Sequence, residues 1–109
     1  MGVTKAEHFT RKQNRLAELA KAFAHPARIM ILQHLAKKGI CICNDLVDVL
    51  PLSQSTVSQH LKEMKRVGLI TGDIDPPKVC YCINEKVWEE FRAEFEALLE
   101  SFDPAKCAC

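Results

Sequence analysis

Residues 51–70 constrain the fold more than any other part of the chain. Pro51 stops whatever helix precedes it, and Ser53 is a residue type whose hydroxyl accepts from an unsatisfied N–H at a helix start. Gly68 supplies the left-handed conformation that ends a helix. The interval, Gln54 to about Val67, therefore reads as one helix. At about 100° per residue, Val57, Leu61 and Met64 fall within roughly 60° of one another and form a stripe to be buried. Ser55, Ser58, Gln59, Lys62 and Arg66 fall on the other side.

The flanks extend this pattern. Residues 7–24 carry Leu16, Leu19, Ala20 and Phe23 at helical spacing. Pro26 suits the first position of a second helix running to about Lys38, with Ile29, Leu32 and Leu35 inward and Gly39 closing it. After the apolar Ile40–Cys43, Asn44 can cap a brief third helix, Asp45 to Leu50. This third helix and the fourth at 54–67 make a helix-turn-helix. Residues 69–74 and 79–83, separated by Asp75-Pro76-Pro77-Lys78, read as a hairpin. A last helix, Glu85 to Ser101, stripes Trp88, Phe91, Phe95, Leu98 and Leu99. The expected class is mostly α with a β-hairpin (α+β), in the order ααααββα. Residues 1–103 form one domain, and 104–109 a loose cysteine-bearing tail.

The outward side of helix 54–67 carries chemistry suited to double-stranded DNA. Ser and Gln can match base-edge donors and acceptors in a major groove, while Lys62 and Arg66 can neutralise the flanking phosphates. Gln54 and Thr56 can add phosphate contacts near the helix start, and Lys78 can do so from the hairpin tip. The competing reading is an ordinary solvated face. Net charge is only +1, but residues 1–38 hold eight Lys/Arg against two Glu, and residues 84–109 three Lys/Arg against seven Asp/Glu. That asymmetry suggests one face for phosphates and one turned away, or simply two solvated helix faces. No apolar run approaches the ~20 residues of a membrane span, and Met1–Gln13 lacks a signal-peptide core. A cytoplasmic protein with reduced thiols is expected. No nucleophile–base–orienter set and no glycine-rich phosphate loop points to an enzyme.

The segment LSQSTVSQHLKEMKRVGLI at 52–70 resembles the recognition segment of the ArsR/SmtB family of metal-responsive repressors. FAHPARIMILQHLA at 23–36 is similar to that family's second-helix signature, and KVCYCIN at 78–84 to its second wing strand. The resemblance implies a winged helix-turn-helix that dimerises through its first and last helices. It also implies repression of a metal-resistance operon, relieved when a metal binds. The apolar stripes agree with a homodimer: Leu16, Leu19, Phe23, Phe91, Phe95 and Leu98 are more apolar surface than so small a domain covers alone. Two readers in successive grooves imply an operator that is an imperfect inverted repeat.

All six cysteines fall in Cys-X-Cys pairs: Cys41/Cys43, Cys80/Cys82 and Cys107/Cys109. Thiolates select soft or borderline ions, so the inducer class is a soft divalent metal or, within the resemblance, arsenite or antimonite. On a helix, residues i and i+2 point apart; on extended backbone they share a face with Cα atoms roughly 6.5–7 Å apart, which also strains a disulfide within a pair. The family's arsenic sensors place Cys-X-Cys at the start of the third helix, making Cys41 and Cys43 the first pair to consider. The later cysteine of that pattern is Leu46 here. Cys107 or Cys109 could supply a third ligand from either subunit, or Cys80 and Cys82 could form a second site. Helix 85–101 contains no histidine, which argues against a His-carboxylate zinc site there. The four histidines are expected in structural roles. Two rivals stand beside the ion sensor. One is a repressor of this fold answering oxidants or sulfide through its thiols, and the other is a metal-buffering or interaction module. Cysteines that are merely buried hydrophobes remain a further reading.

Overall fold

The computed structural model describes residues 8–38, 42–43, 51–73 and 80–106. Their elements are α1 (Arg11–Phe23), α2 (Pro26–Lys38), β1 (Ile42–Cys43), α3 (Gln54–Arg66), β2 (Ile70–Asp73), β3 (Cys80–Ile83) and α4 (Glu85–Glu100). Thus α3 is the helix expected at 54–67. The short helix expected at 45–50, the closure at Gly39, Lys78 at the hairpin tip, Cys41, Cys107 and Cys109 lie outside the described residues.

The helix ends follow from their local chemistry. Thr10 and Gln13 form a reciprocal capping box at the start of α1, so the helix begins at Arg11 rather than at residue 7. His25 accepts the Ala27 N–H through Nδ1 at 3.0 Å and thereby caps α2. Ser53 accepts the Thr56 N–H at 3.3 Å at the head of α3. At the far end of α3, Gly68 N–H donates to Lys65 O at 2.9 Å and Leu69 N–H to Met64 O at 3.0 Å. This is the Schellman pattern, and Gly68 adopts the required positive φ of 86°. Asn84 caps α4 through the Val87 N–H.

The core is built mainly from α1–α3 and the sheet. Leu19, Ala22, Ile31, Leu32, Leu35, Val57, Leu61, Met64, Val67, Leu69, Ile70 and Tyr81 form one buried cluster. Two sequence expectations change here. Ile29, expected inward, is 39% exposed, and Ile31 at 0% takes the inward place, because the core meets the other edge of α2. Leu19, assigned to a dimer surface, is 1% exposed within the single chain, where it belongs to the core cluster. Its periodicity was right and its covering partner was not.

β1 adds a third strand to the expected hairpin. The sheet order is β1-β3-β2, with both pairings antiparallel. In the hairpin Ile70 pairs with Ile83 and Gly72 with Tyr81. Gly72 has φ 123°, and a Cβ there would fall on the Cys80 carbonyl oxygen and 2.8 Å from Tyr81 Cα. Only glycine lets the strands approach this closely. The expected loose tail contains one 3-10 turn, Pro104–Lys106, in which Asp103 accepts from the Ala105 N–H.

Candidate nucleic-acid interface

The geometry of α3 follows its wheel. Val57 is 2% exposed, Leu61 2% and Met64 0%, so one edge is locked into the core. Gln54, Ser55, Gln59, Lys62 and Arg66 are exposed, while Thr56 and Ser58 are half-buried. Thr56 Oγ1 lies 2.9 Å from Ser53 Oγ, and Ser55 Oγ 3.1 Å, a hydroxyl cluster around the first turn. The N-terminal two-thirds of this face carries small hydrogen-bonding groups on a rigid element, with the positive end of the helix dipole beside them.

The cationic end of α3 is less free than its sequence suggests. Arg66 donates to Glu63 at 2.7 Å and to Glu18 of α1 at 2.8 Å. These bonds raise the Arg66 pKa and lower those of Glu63 and Glu18. Lys65 donates to the Gly72 carbonyl of β2 at 2.6 Å, tying the end of α3 to the hairpin. Lys62 is the exposed cation nearest the polar cluster in sequence.

A second set of charges fixes the rear of the helix. Arg15 of α1 grips both carboxylate oxygens of Glu90 in α4, at 2.9 and 3.2 Å, and donates to Val67 O at 3.0 Å. Hydrogen bonding to Arg15 lowers the Glu90 pKa. With Lys12–Glu94 at 4.0 Å, this pairs two of the four cations of α1 with carboxylates of α4 and gives part of the charge asymmetry a local explanation. Each such surface pair contributes only about 0–1 kcal/mol, so its role is to set geometry. The recognition face therefore owes less to a broad basic half than expected.

Beneath α3, the His25 and His60 rings meet at a centroid distance of 4.4 Å, and Arg28 Nε donates to His60 Nδ1 at 3.1 Å. Desolvation, with the nearby His25 and Arg28, lowers the His60 pKa. Both histidines are structural, as the sequence suggested. The cluster itself, which joins the α1–α2 corner to the middle of α3, had no local sequence signal.

Along α4 no residue is fully buried. Phe91 stacks on Phe23 at 4.5 Å and on Phe95 at 5.1 Å, while Leu98 is 54% and Leu99 62% exposed. Two open grooves flank this helix. One of about 230 Å³ is lined by Phe23, Trp88, Phe91 and Phe95, and one of about 320 Å³ by Lys12, Leu16, Ala97 and Leu98. Of the residues expected to face a second copy, Leu16, Phe23, Phe91 and Phe95 are half-buried and Leu98 is exposed.

Among the described residues no group of three or more His, Cys, Asp or Glu is gathered for a metal. Cys80 and Cys82 were expected as free thiols; in this structure both are in disulfides. They flank Tyr81, which points into the core at 1% exposed, so the pair shares the other side of β3. No described helix is long and apolar enough to cross a membrane.

Comparison with known proteins places this architecture. A family of helix-turn-helix domains matches residues 23–73. The chain is 42% identical over 64 residues to the HTH-type transcriptional repressor SmtB of Mycobacterium tuberculosis, a match covering 59% of this chain and 47% of that protein. The chain thus spans about half the length of that relative. To the HTH-type transcriptional regulator YgaV of Escherichia coli it is 39% identical over 72 residues, covering 65% of this chain and 73% of YgaV. The solved structure of HlyU from Vibrio cholerae superimposes with a TM-score of 0.63 at 28% identity, over 86% of this chain and 98% of HlyU.

Proposed function

Because the chain belongs to the ArsR/SmtB family of winged helix-turn-helix transcriptional regulators, which are not enzymes, we propose that it is a metal-responsive repressor. In this reading it is a cytoplasmic homodimer on double-stranded operator DNA. The observation that carries the reading is the split of α3 into a buried Val57/Leu61/Met64 edge and an outward hydroxyl–amide face. Ser55, Ser58 and Gln59 read base edges; Gln54, Thr56 and Lys62 hold phosphates, and Lys78 adds one from the wing. Arg66 contributes once DNA competes for it against Glu63 and Glu18. The relative SmtB is a transcriptional repressor, which supports the sign of regulation.

The exposed end of α4 supports the dimer. Leu98, with Phe91, Phe95, Phe23 and Leu16 along the same two helices, packs against a second copy. Leu19 has no part in it, being buried in its own chain. A two-fold axis through α1 and α4 then sets the spacing of the two α3 helices, and the operator is an imperfect inverted repeat.

The donor chemistry suits thiophilic ions: arsenite and antimonite first, soft divalent metals second. Cys41 and Cys43 are the primary ligands. Cys43 lies on the extended backbone of β1. Cys107 or Cys109 supplies a third sulfur. Cys80 and Cys82 take part only once reduced. When bound, the ion supplies strong bonds to sulfur. The chain's own part is mechanical: β1 pairs with β3 of the hairpin that follows α3, and a shift there alters the spacing of the two readers. A coupling of about 1–3 kcal/mol, a 5- to 150-fold loss of DNA affinity, is typical of such switches.

The test is fluorescence anisotropy on a duplex selected from a random pool by the reduced protein. The account expects arsenite or antimonite to release DNA and Cys41→Ser to abolish the response. A response unchanged in Cys41→Ser removes the assigned site; no selected duplex at all removes the repressor reading.

A further inference from the structure

Arg66 lies on the outward stripe of α3 with Ser55, Gln59 and Lys62, and its side chain is 54% exposed. Three of its N–H bonds are already directed at carboxylate oxygens. Nε donates to Glu63 Oε2 at 3.1 Å, and Nη2 donates to Glu63 Oε1 at 2.7 Å and to Glu18 Oε2 at 2.8 Å. Glu63 is one turn back on the same helix, but Glu18 reaches across from α1. Hydrogen bonding to Arg66 lowers the pKa of both carboxylates, and the fields of Arg66 and Lys21 add to it, so both are ionised at neutral pH. A phosphate offers a guanidinium fork the same kind of anionic oxygen pair that a carboxylate does. Glu18 and Glu63 therefore occupy the donors that a DNA phosphate would take. As exposed pairs these contacts add little to folding stability. Their larger consequence falls on an incoming polyanion, which has to displace them and also meets their negative charge.

We propose that Glu18 of α1 sets the affinity of the DNA interface: it holds Arg66 against the body of the chain and withholds one cation from the phosphate backbone until DNA displaces it. On the repressor reading, on which this rests, Glu18 acts through Arg66 and is a positioning residue. The withheld contact is to phosphate, so it lowers affinity for every sequence alike and leaves discrimination to Ser55, Ser58 and Gln59. The gain from releasing Arg66 is electrostatic and fades as salt rises.

The test is fluorescence anisotropy with the full-length reduced protein on a selected duplex and on a random-sequence duplex. Glu18→Gln removes the charge and keeps the side-chain length. It should tighten binding about two- to fivefold at about 0.1 M salt on both duplexes, the factor that an exposed pair of this kind commands. One more neutralised phosphate should also steepen the slope of log K against log salt by up to about 0.9. Arg66→Gln should weaken binding, and in that background Glu18→Gln should lose more than half of its gain. In the DNA-free protein the Arg66 Nε–H resonance should shift on Glu18→Gln. Unchanged or weaker binding by Glu18→Gln, a gain that survives intact without Arg66, or an unmoved Arg66 resonance each overturns the proposal. Duplex bound by the wild type without that gain sinks the role of Glu18 alone, and no duplex bound by any variant sinks the repressor reading with it.

Discussion

Leu61 and Gln59 sit two residues apart on α3 and are assigned opposite surroundings, so truncating each to alanine tests how the helix is seated. Leu61 is 2% exposed and belongs to the core cluster with Leu19, Ile31 and Met64. Leu61→Ala removes apolar carbon worth about 0.8 kcal/mol per methylene, and the unfilled space adds about 24 cal/mol per Å³. Together these give a loss of about 3–4 kcal/mol. In a domain of this size that lowers the melting temperature by on the order of 15 °C. Gln59 is exposed, and its truncation should stay within about 0.5 kcal/mol. Circular dichroism melts and urea titrations at one fixed protein concentration supply both numbers, because a dimer's stability depends on concentration. If Leu61→Ala costs under about 1 kcal/mol while Gln59→Ala costs more, the helix is rolled the other way and the polar face is not outward.

Three further outcomes follow from specific contacts. Gly72→Ala should disrupt the β2–β3 pairing at a cost of at least about 1–3 kcal/mol, since a Cβ meets the Cys80 carbonyl at a positive φ; hydrogen exchange at the Tyr81 amide should accelerate. Folding lowers the His60 pKa below its ordinary value of about 6.5, so as pH falls through that range the unfolded chain binds more protons and stability falls with falling pH. Melts between pH 7.5 and 5.5 should show this slope flattened in His60→Gln, and an unchanged slope would remove His60 as its source. Leu98→Glu, at a position 54% exposed in the single chain, should leave that chain folded and halve the mass seen by light scattering. A wild-type mass near 12.3 kDa would rule out the dimer.

What the sequence made legible was local. Ser53, the Val57/Leu61/Met64 stripe and Gly68 each act within a few residues, so the course of α3 could be read without any partner. What it concealed depends on pairing. β1 is two residues long and exists only because β3 lies beside it. The stripe of α1 showed which residues share a face but not that Leu19 would be covered by its own chain. The charge asymmetry was visible, yet its resolution into Arg15–Glu90 and Lys12–Glu94 required α1 to lie against α4. Arg66 is intermediate: its bond to Glu63 spans three residues along one helix and was open to inspection, whereas Glu18 was not. The cysteine pairs were conspicuous, but only the strand register puts Cys43 opposite Cys80.

The claim beneath all of this is that the hydroxyl–amide side of α3 is the surface that meets a duplex. Amide chemical shifts of the isotopically labelled protein, recorded while a selected duplex is titrated in, measure that directly. The account predicts that the largest changes cluster at Ser55, Ser58, Gln59 and Lys62, with α4 little affected beyond Asn84. Large shifts elsewhere, with those four residues silent, would contradict it.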